Sequence, residues 1–389
     1  MNYNSNVAVF DGKRLRNRRY RKGLTKKALA ENSRINQRLI TDFEAGRVLP
    51  TDEQMTRLIA ALQTTREYLT LPWNNGFSEP ALSFRAPSKM SQRNKNAAMS
   101  IAQDGIDLCE WILKRYDCPP VNIPNFSYAD TPEQASDMIR AQWGLGQQPI
   151  GNMVTLLESH GVFVFAAETE NDLDFDAFSF ISDHKPFVCL GTRKTPERDR
   201  FDLAHELGHL VLHQEDPSPA GRNKEQEANA FASALLMPKG DTLAQTPSNP
   251  STEAIKKLKN RWGVAATALT YRLHQLGVMT DWTYHSALIQ LTKEGYRTSE
   301  PNGILVGEKS AILDTVFRDL YQTHSMGALQ TDIGQTKQDI AEIVYGLTLT
   351  VSASNQSTTW NSIYTEYGIQ SEMPKLSLHT GGLRSEQNW

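Results

Sequence analysis

The sequence predicts an α+β protein that is mainly helical, with an all-α N-terminal domain and a larger domain in which helices surround a small β-sheet. Two patterns support this fold class. Short amphipathic segments with helix-capping residues fill positions 11–70, and three short segments between 162 and 191 have the apolar, aromatic composition of buried strands. The 389 residues are too many for one ordinary domain and indicate two or three.

The first helices are marked by residues that begin and end them. "LTKKALAE" follows an N-cap position at Thr25, and "INQRLITDFEAG" places its apolar residues on one face and stops at Gly46. "TDEQMTRLIAAL" begins at another N-cap, Thr51. These signals predict a helical domain over residues 1–71.

The rest of the chain divides by composition. Residues 72–96 contain three prolines among mixed polar residues and predict a linker. A second domain is expected over 97–300, with the strands "GVFVF", "DAFSFIS" and "KPFVCLG" between helices. Residues 301–389 are expected to be a C-terminal helical region whose Ser/Thr/Asn-rich tail is poorly ordered.

Charge is distributed unevenly. Residues 13–47 contain twelve Lys and Arg against three Asp and Glu, a net charge of +9 in a chain whose total is −3. A basic segment on an acidic body indicates nucleic-acid binding confined to one domain. A solvated helical face is the alternative.

Other features limit the class of protein. No apolar run approaches the ~20 residues of a membrane span, and the first residues lack the apolar core of a signal peptide. Three cysteines are too few and too far apart for a disulfide framework. We expect a cytoplasmic protein without membrane contact.

The segment "AHELGHLVLH", residues 204–213, carries a candidate metal site. On a helix, His205 and His209 lie on one face and can hold one ion, with Glu206 beside them as a candidate base. The alternative is a pair of core histidines, each of which needs a buried partner. His213 is too far along the axis to share the ion and is expected to be a helix-end histidine.

A third ligand is predicted in "KEQEANAFASALLMP". Glu225 shares a helix face with small alanines, which allows a close approach to the histidine helix, and Glu227 is the weaker candidate. Asn229, one turn further on, is placed to orient a ligand. Two histidines and a carboxylate are the ligands of a catalytic zinc site that keeps an open position for water.

This donor set predicts hydrolysis of a peptide bond. The ion lowers the pKa of a water molecule, and Glu206 takes its proton and returns it to the leaving amine. The strands "DAFSFIS" and "KPFVCLG" offer an edge along which an extended substrate can pair.

The combined motif "TPERDRFDLAHELGHLVLH…EQEANAFASALLMP" resembles the ImmA/IrrE metallopeptidase family, gluzincin-like proteins with HExxH and a downstream Glu. The resemblance covers roughly residues 95–300. It implies His205, His209 and Glu225 as metal ligands and Glu206 as the catalytic base. It also implies cleavage of a partner regulator, often a repressor, with Zn²⁺, Mn²⁺ or another divalent ion.

The stretch "LTKKALAENSRINQRLITDFEAG" resembles the XRE class of phage-repressor-like helix-turn-helix domains. In that class the second helix reads bases in the major groove. Basic residues at a helix N-terminus oppose the macrodipole unless a phosphate binds there. The residues expected to contact bases or phosphates are Lys26, Lys27, Asn36, Gln37, Arg38, Thr41 and Arg47, together with the run from Arg14 to Lys22. Arg34 stands where the class commonly has glycine, which indicates a distorted turn or an added phosphate contact.

Two functions of different kinds follow. The first is a DNA-binding transcription regulator with a zinc-dependent endopeptidase domain, acting on a partner repressor in a stress, prophage or defence switch. The second is a DNA-binding regulator whose peptidase-like domain is a non-catalytic sensor or dimerisation module. A helical protein-interaction module remains the alternative for the first domain. The expected partners are double-stranded DNA, one protein substrate and a second copy of the chain in a homodimer.

Overall fold

The computed structural model describes residues 9–73, 91–167, 176–191, 195–214 and 221–348. The predicted fold class is confirmed, because helices surround one three-stranded sheet in this part of the chain. Buried apolar side chains form two hydrophobic cores, one within the N-terminal helices and one around the sheet. Most of the predicted linker and the predicted disordered tail lie outside the described residues.

The N-terminal domain is built from short helices. Their bounds are α1 (Gly12–Arg21), α2 (Lys26–Ser33), α3 (Gln37–Glu44), α4 (Asp52–Leu62) and α5 (Arg66–Thr70). Both predicted N-caps are confirmed: Thr25 Oγ1 accepts the Ala28 N–H at 3.0 Å, and Thr51 forms a capping box with Gln54. The caps satisfy amide groups that these short helices would otherwise leave unpaired.

The turn between α2 and α3 keeps a regular geometry despite its arginine. Arg34 has φ of +54° and adopts the left-handed conformation that glycine favours. A side chain in this region costs on the order of 1 kcal/mol. The turn is therefore not distorted, and the Arg34 side chain is exposed.

The larger domain begins with a long helix, α6 (Gln92–Leu113), which starts after an N-cap at Ser91. The predicted end of the linker at residue 96 is therefore wrong. Residues 92–96 belong to α6, because the Ser91 hydroxyl caps a helix that the polar composition of this segment concealed.

The sheet contains β1 (Phe163–Ala167), β2 (Ala177–Ser182) and β3 (Lys185–Gly191) in the order β1-β3-β2. β1 runs parallel to β3, whereas β2 is antiparallel to it. β2 thus lies at one edge of the described sheet. Phe180 of β2 stacks on Phe187 of β3 with ring centres 5.0 Å apart, and Phe178 stacks on Phe180 within β2.

Further helices come before and after the sheet in the chain. They are α7 (Pro132–Gln142), α8 (Met153–Ser159), α9 (Pro196–Leu212), α10 (Arg222–Leu236), α11 (Lys239–Gln245), α12 (Thr252–Trp262), α13 (Ala266–Gln275) and α14 (Asp281–Lys293). Of these, α8 and α9 pack against the strands of the sheet. The C-terminal region adds α15 (Ala311–Gln322), α16 (Met326–Ile333) and α17 (Lys337–Ile343). α16 and α17 both pack against α6, and α16 also packs against α5 of the N-terminal domain.

The basic run in α1 is not the phosphate-binding surface that the sequence predicted. Four of its arginines are at most 5% exposed, and each faces a carboxylate. The pairs are Arg14 with Asp107, Arg18 with Asp339, Arg19 with Glu44 and Arg21 with Glu342. The prediction is wrong for these four residues, because burial against carboxylates from α3, α6 and α17 removes them from solvent. Except for Arg19, they dock the N-terminal domain on the larger one.

Candidate functional site

The histidine motif lies on α9, where regular helix geometry brings both imidazoles to one face. His205 Nε2 and His209 Nε2 are 3.1 Å apart. The His209 side chain is fully buried and that of His205 is 15% exposed. Both rings therefore turn the same nitrogen toward a common point.

α10 supplies a carboxylate to that point. Glu225 Oε2 lies 3.3 Å from His205 Nε2, and Glu225 Oε1 lies 3.4 Å from His209 Nε2. The three predicted ligands are therefore brought together, with one donor atom from each within 4.8 Å of the others. Two imidazoles and a carboxylate fit zinc and several other divalent ions.

A close helix crossing makes this convergence possible. A Cβ atom added at Gly208 would lie 3.3 Å from both the Cα and the carbonyl oxygen of Ala228. Small residues on both helices thus let α9 and α10 approach each other, as the alanines of the α10 motif predicted. The spacing of the two backbones sets the distance between Glu225 and the histidines.

Glu206 is only 4% exposed and accepts a hydrogen bond from Ser179 Oγ at 2.6 Å. Ser179 lies on β2, so the edge strand and the candidate base are in direct contact. Ser179 was not among the predicted site residues. The signal available was a hydroxyl between Phe178 and Phe180 in a strand whose pattern is otherwise apolar.

The remaining histidine contacts orient the rings. Asn229 Oδ1 lies 3.0 Å from His205 Nδ1, where the sequence predicted an orienting residue. Burial lowers the pKa of His205, but hydrogen bonding to Glu225 and the nearby charge of Glu206 outweigh it, so this pKa is raised overall. His213 is the C-cap of α9 as predicted, and Glu227 contacts it rather than the ligand cluster.

A cavity of about 780 Å³ opens beside Asn229, between α9, α10, α13 and α14. Its lining combines aromatic and apolar groups with polar ones. It includes Phe201, Asp202, Gln226, Tyr271, Tyr284 and Leu288. No pattern in the sequence predicted this cavity, since its walls come from helices about 70 residues apart in the chain.

The first turn of α3 is solvent-exposed, as base contacts require. Gln37 and Arg38 are exposed, and the exposed Asn36 is the N-cap, with Oδ1 accepting the Arg38 N–H at 2.8 Å. Thr41 is half-buried and donates its hydroxyl hydrogen to the Gln37 carbonyl at 3.2 Å. A residue exposed at the start of this helix can reach the major groove.

The predicted phosphate contacts differ in their surroundings. The Lys27 side chain is 77% exposed, with Glu31 one helical turn away at 4.0 Å. The Lys26 ammonium lies 3.7 Å from Glu44, and Arg47 is paired with Asp42 at 2.5 Å. Lys27 is thus the most accessible of these cations.

The site defines a metallopeptidase-like domain joined to a helix-turn-helix domain. Residues 157–274 match the family model described as "IrrE N-terminal-like domain" of the Peptidase_M78 type, and residues 12–70 match that of a "Helix-turn-helix domain". The N-terminal helices are thus similar to helix-turn-helix domains, and the larger domain contains a region similar to the IrrE peptidase family.

One relative with a described role is the "Radiation response metalloprotease IrrE" of Deinococcus deserti. It is 33% identical over 99 residues, which is 22% of this chain and 35% of that protein. The chain thus aligns with about a third of the length of this relative. Within the described residues, no helix combines the length and apolar character needed to cross a membrane.

Proposed function

We propose that this protein is a DNA-binding regulator whose second domain is a metal-dependent endopeptidase that cleaves one protein partner. The observation that carries the proposal is the convergence of His205, His209 and Glu225 beside the buried Glu206. A scaffold or sensor needs no base next to a metal-ligand cluster. The partner is a repressor, and the setting a stress, prophage or defence switch.

Zn²⁺ is the ion proposed for this site, and Mn²⁺ is the main competitor. His205 and His209 would each bind through Nε2 and Glu225 through its carboxylate. A zinc ion in such a set polarises a substrate carbonyl and lowers the pKa of water toward neutrality. Asn229 holds the ring of His205 in the orientation that binding requires.

Glu206 acts as the general base in the proposed mechanism. It accepts a proton from the attacking water and returns that proton to the leaving amine. Ser179 donates to Glu206 Oε2 at 2.6 Å and so fixes the position of this carboxylate. A substrate that pairs in extended form with the edge strand β2 passes next to Glu206, because Ser179 belongs to that strand.

In the proposed DNA complex, α3 enters the major groove with Gln37 and Arg38 at base edges and Lys27 at a phosphate. A homodimer is part of this proposal, because two such domains bind half-sites one helical turn apart. Light scattering of the full chain with and without duplex DNA tests this assembly.

The peptidase proposal is tested with the full-length protein and the repressors encoded beside its gene. Wild type with zinc should cleave one of them, whereas Glu206→Gln should bind zinc equally well and leave every repressor intact. Cleavage of Glu206→Gln by wild type would instead show processing of the chain itself. Absence of cleavage in all combinations, with zinc bound, would favour the non-catalytic sensor.

A further inference from the structure

A chain of polar side chains leads from the metal-ligand cluster to the protein surface. His209 Nδ1 lies 3.0 Å from His213 Nδ1, and His213 Nε2 lies 2.8 Å from Glu227 Oε2. Side-chain exposure rises along this chain, from 0% at His209 through 6% at His213 to 50% at Glu227. Both distances are those of good hydrogen bonds, so the hydrogens can be assigned in order.

The carboxylate determines that assignment. Ionised Glu227 can only accept, so neutral His213 carries its hydrogen on Nε2 and leaves Nδ1 as an acceptor. His209 must then carry its hydrogen on Nδ1. Its Nε2 lone pair is left pointing at Glu225 and His205, at 3.4 and 3.1 Å. This is the tautomer that a metal ligand needs.

We propose that His213 and Glu227 are positioning residues of the metal centre. Glu227 acts through His213 to fix the tautomer of His209 and to make its Nε2 a stronger donor to a divalent ion. The inference rests on the proposed function, since it takes His209 as a ligand. Mutation of a residue that orients a metal-ligating histidine typically weakens metal binding by about 10- to 100-fold.

A purely structural role would have different consequences. The backbone N–H of His213 already donates to the His209 carbonyl at 3.1 Å as the last hydrogen bond of α9. In that case Glu227 would be one half of a partly exposed pair, and such pairs contribute little to stability. Its loss would alter neither zinc affinity nor the His209 tautomer.

The first experiment measures the zinc dissociation constant of the full chain by competition with a chromophoric chelator. Glu227→Gln should bind Zn²⁺ about 10- to 100-fold more weakly than wild type. Glu253→Gln is the matched control, because it makes the same charge change at a 69% exposed carboxylate on α12. The metal-free thermal midpoint of Glu227→Gln should stay within about 2 °C of wild type.

The second experiment reads the tautomers directly, from ¹⁵N spectra of histidine-labelled, zinc-loaded full chain. His213 should show hydrogen on Nε2 and none on Nδ1, and His209 should show hydrogen on Nδ1. Hydrogen on His213 Nδ1, or unchanged zinc affinity in Glu227→Gln, would overturn the positioning role of His213 and Glu227 alone. Failure of wild type to bind zinc, or zinc binding that survives His205→Ala, would overturn the proposed metal site and this positioning role together.

Discussion

Replacement of Arg18 by methionine tests whether buried ion pairs hold the two domains together. The Arg18 side chain is 1% exposed, and its Nη1 lies 2.7 Å from Asp339 Oδ1 on α17. It also donates from Nη2 to the Gln63 carbonyl at 2.6 Å and from Nε to the Leu62 carbonyl at 3.3 Å. Methionine preserves most of the apolar stem, so the charge and its hydrogen bonds are what is lost.

The size of the effect follows from the partner that remains. Asp339 is itself only 2% exposed, and its Oδ2 keeps the backbone and hydroxyl hydrogen bonds from Thr336. Oδ1 loses its cation. Burial raises the pKa of Asp339, but the charge of Arg18 and the hydrogen bonds from Arg18 and Thr336 lower this pKa by more, so it is depressed overall. Removal of one member of a buried pair costs about 3–5 kcal/mol.

Hydrogen exchange followed by peptide mass analysis measures this loss where it occurs. Peptides from α1 and α17 should exchange at least about 100-fold faster in Arg18→Met, since each ~1.4 kcal/mol is a factor of ten. Peptides from α9 are an internal reference and should not change. Arg38→Met, at an exposed arginine of α3, is the matched control. Equal protection of α1 and α17 in wild type and Arg18→Met would refute the reasoning.

Three further predictions concern the metal site, pH and DNA. Gly208→Ala should weaken zinc binding about tenfold in a chelator competition. The new Cβ would lie 3.0 Å from Phe231 Cδ1 and 3.3 Å from the Ala228 backbone, so α10 must shift away from α9. Equal or tighter zinc binding would contradict this prediction. Burial raises the pKa of Asp104 to about 6, so the contribution of Asp104 to the stability of wild type should fall by roughly 3 kcal/mol as pH rises from about 4 to about 6. In urea titrations across this pH range, Asp104→Asn should not show this loss. A difference in the free energy of unfolding between Asp104→Asn and wild type that stays constant with pH would contradict the prediction. Lys27→Ala should reduce the slope of log affinity against log salt concentration for duplex DNA by about 1. Arg38→Ala should also reduce the preference for one DNA sequence over others. An unchanged slope in Lys27→Ala would show that Lys27 does not contact a phosphate.

The sequence by itself determined the features that depend on neighbours along the chain. The spacing of His205 and His209 on one helix face follows from 3.6 residues per turn. The caps at Thr25 and Thr51 need only the three residues after them. The choice of Glu225 over Glu227 for the cluster also follows from helix periodicity, because only one of the two shares the alanine face that meets α9.

Tertiary structure decided which charges are available and which polar groups meet. The arginines of α1 appear in the sequence as one basic run, but their carboxylate partners stand up to about 320 residues away. No local pattern records such a pairing. Ser179 reaches Glu206 for the same reason, since the contact depends on how β2 packs against α9. His213 acquired partners because α10 crosses the end of α9, and a helix-end position alone does not specify what crosses it. Helix periodicity and capping act within a few residues, whereas burial of a charge depends on the whole fold.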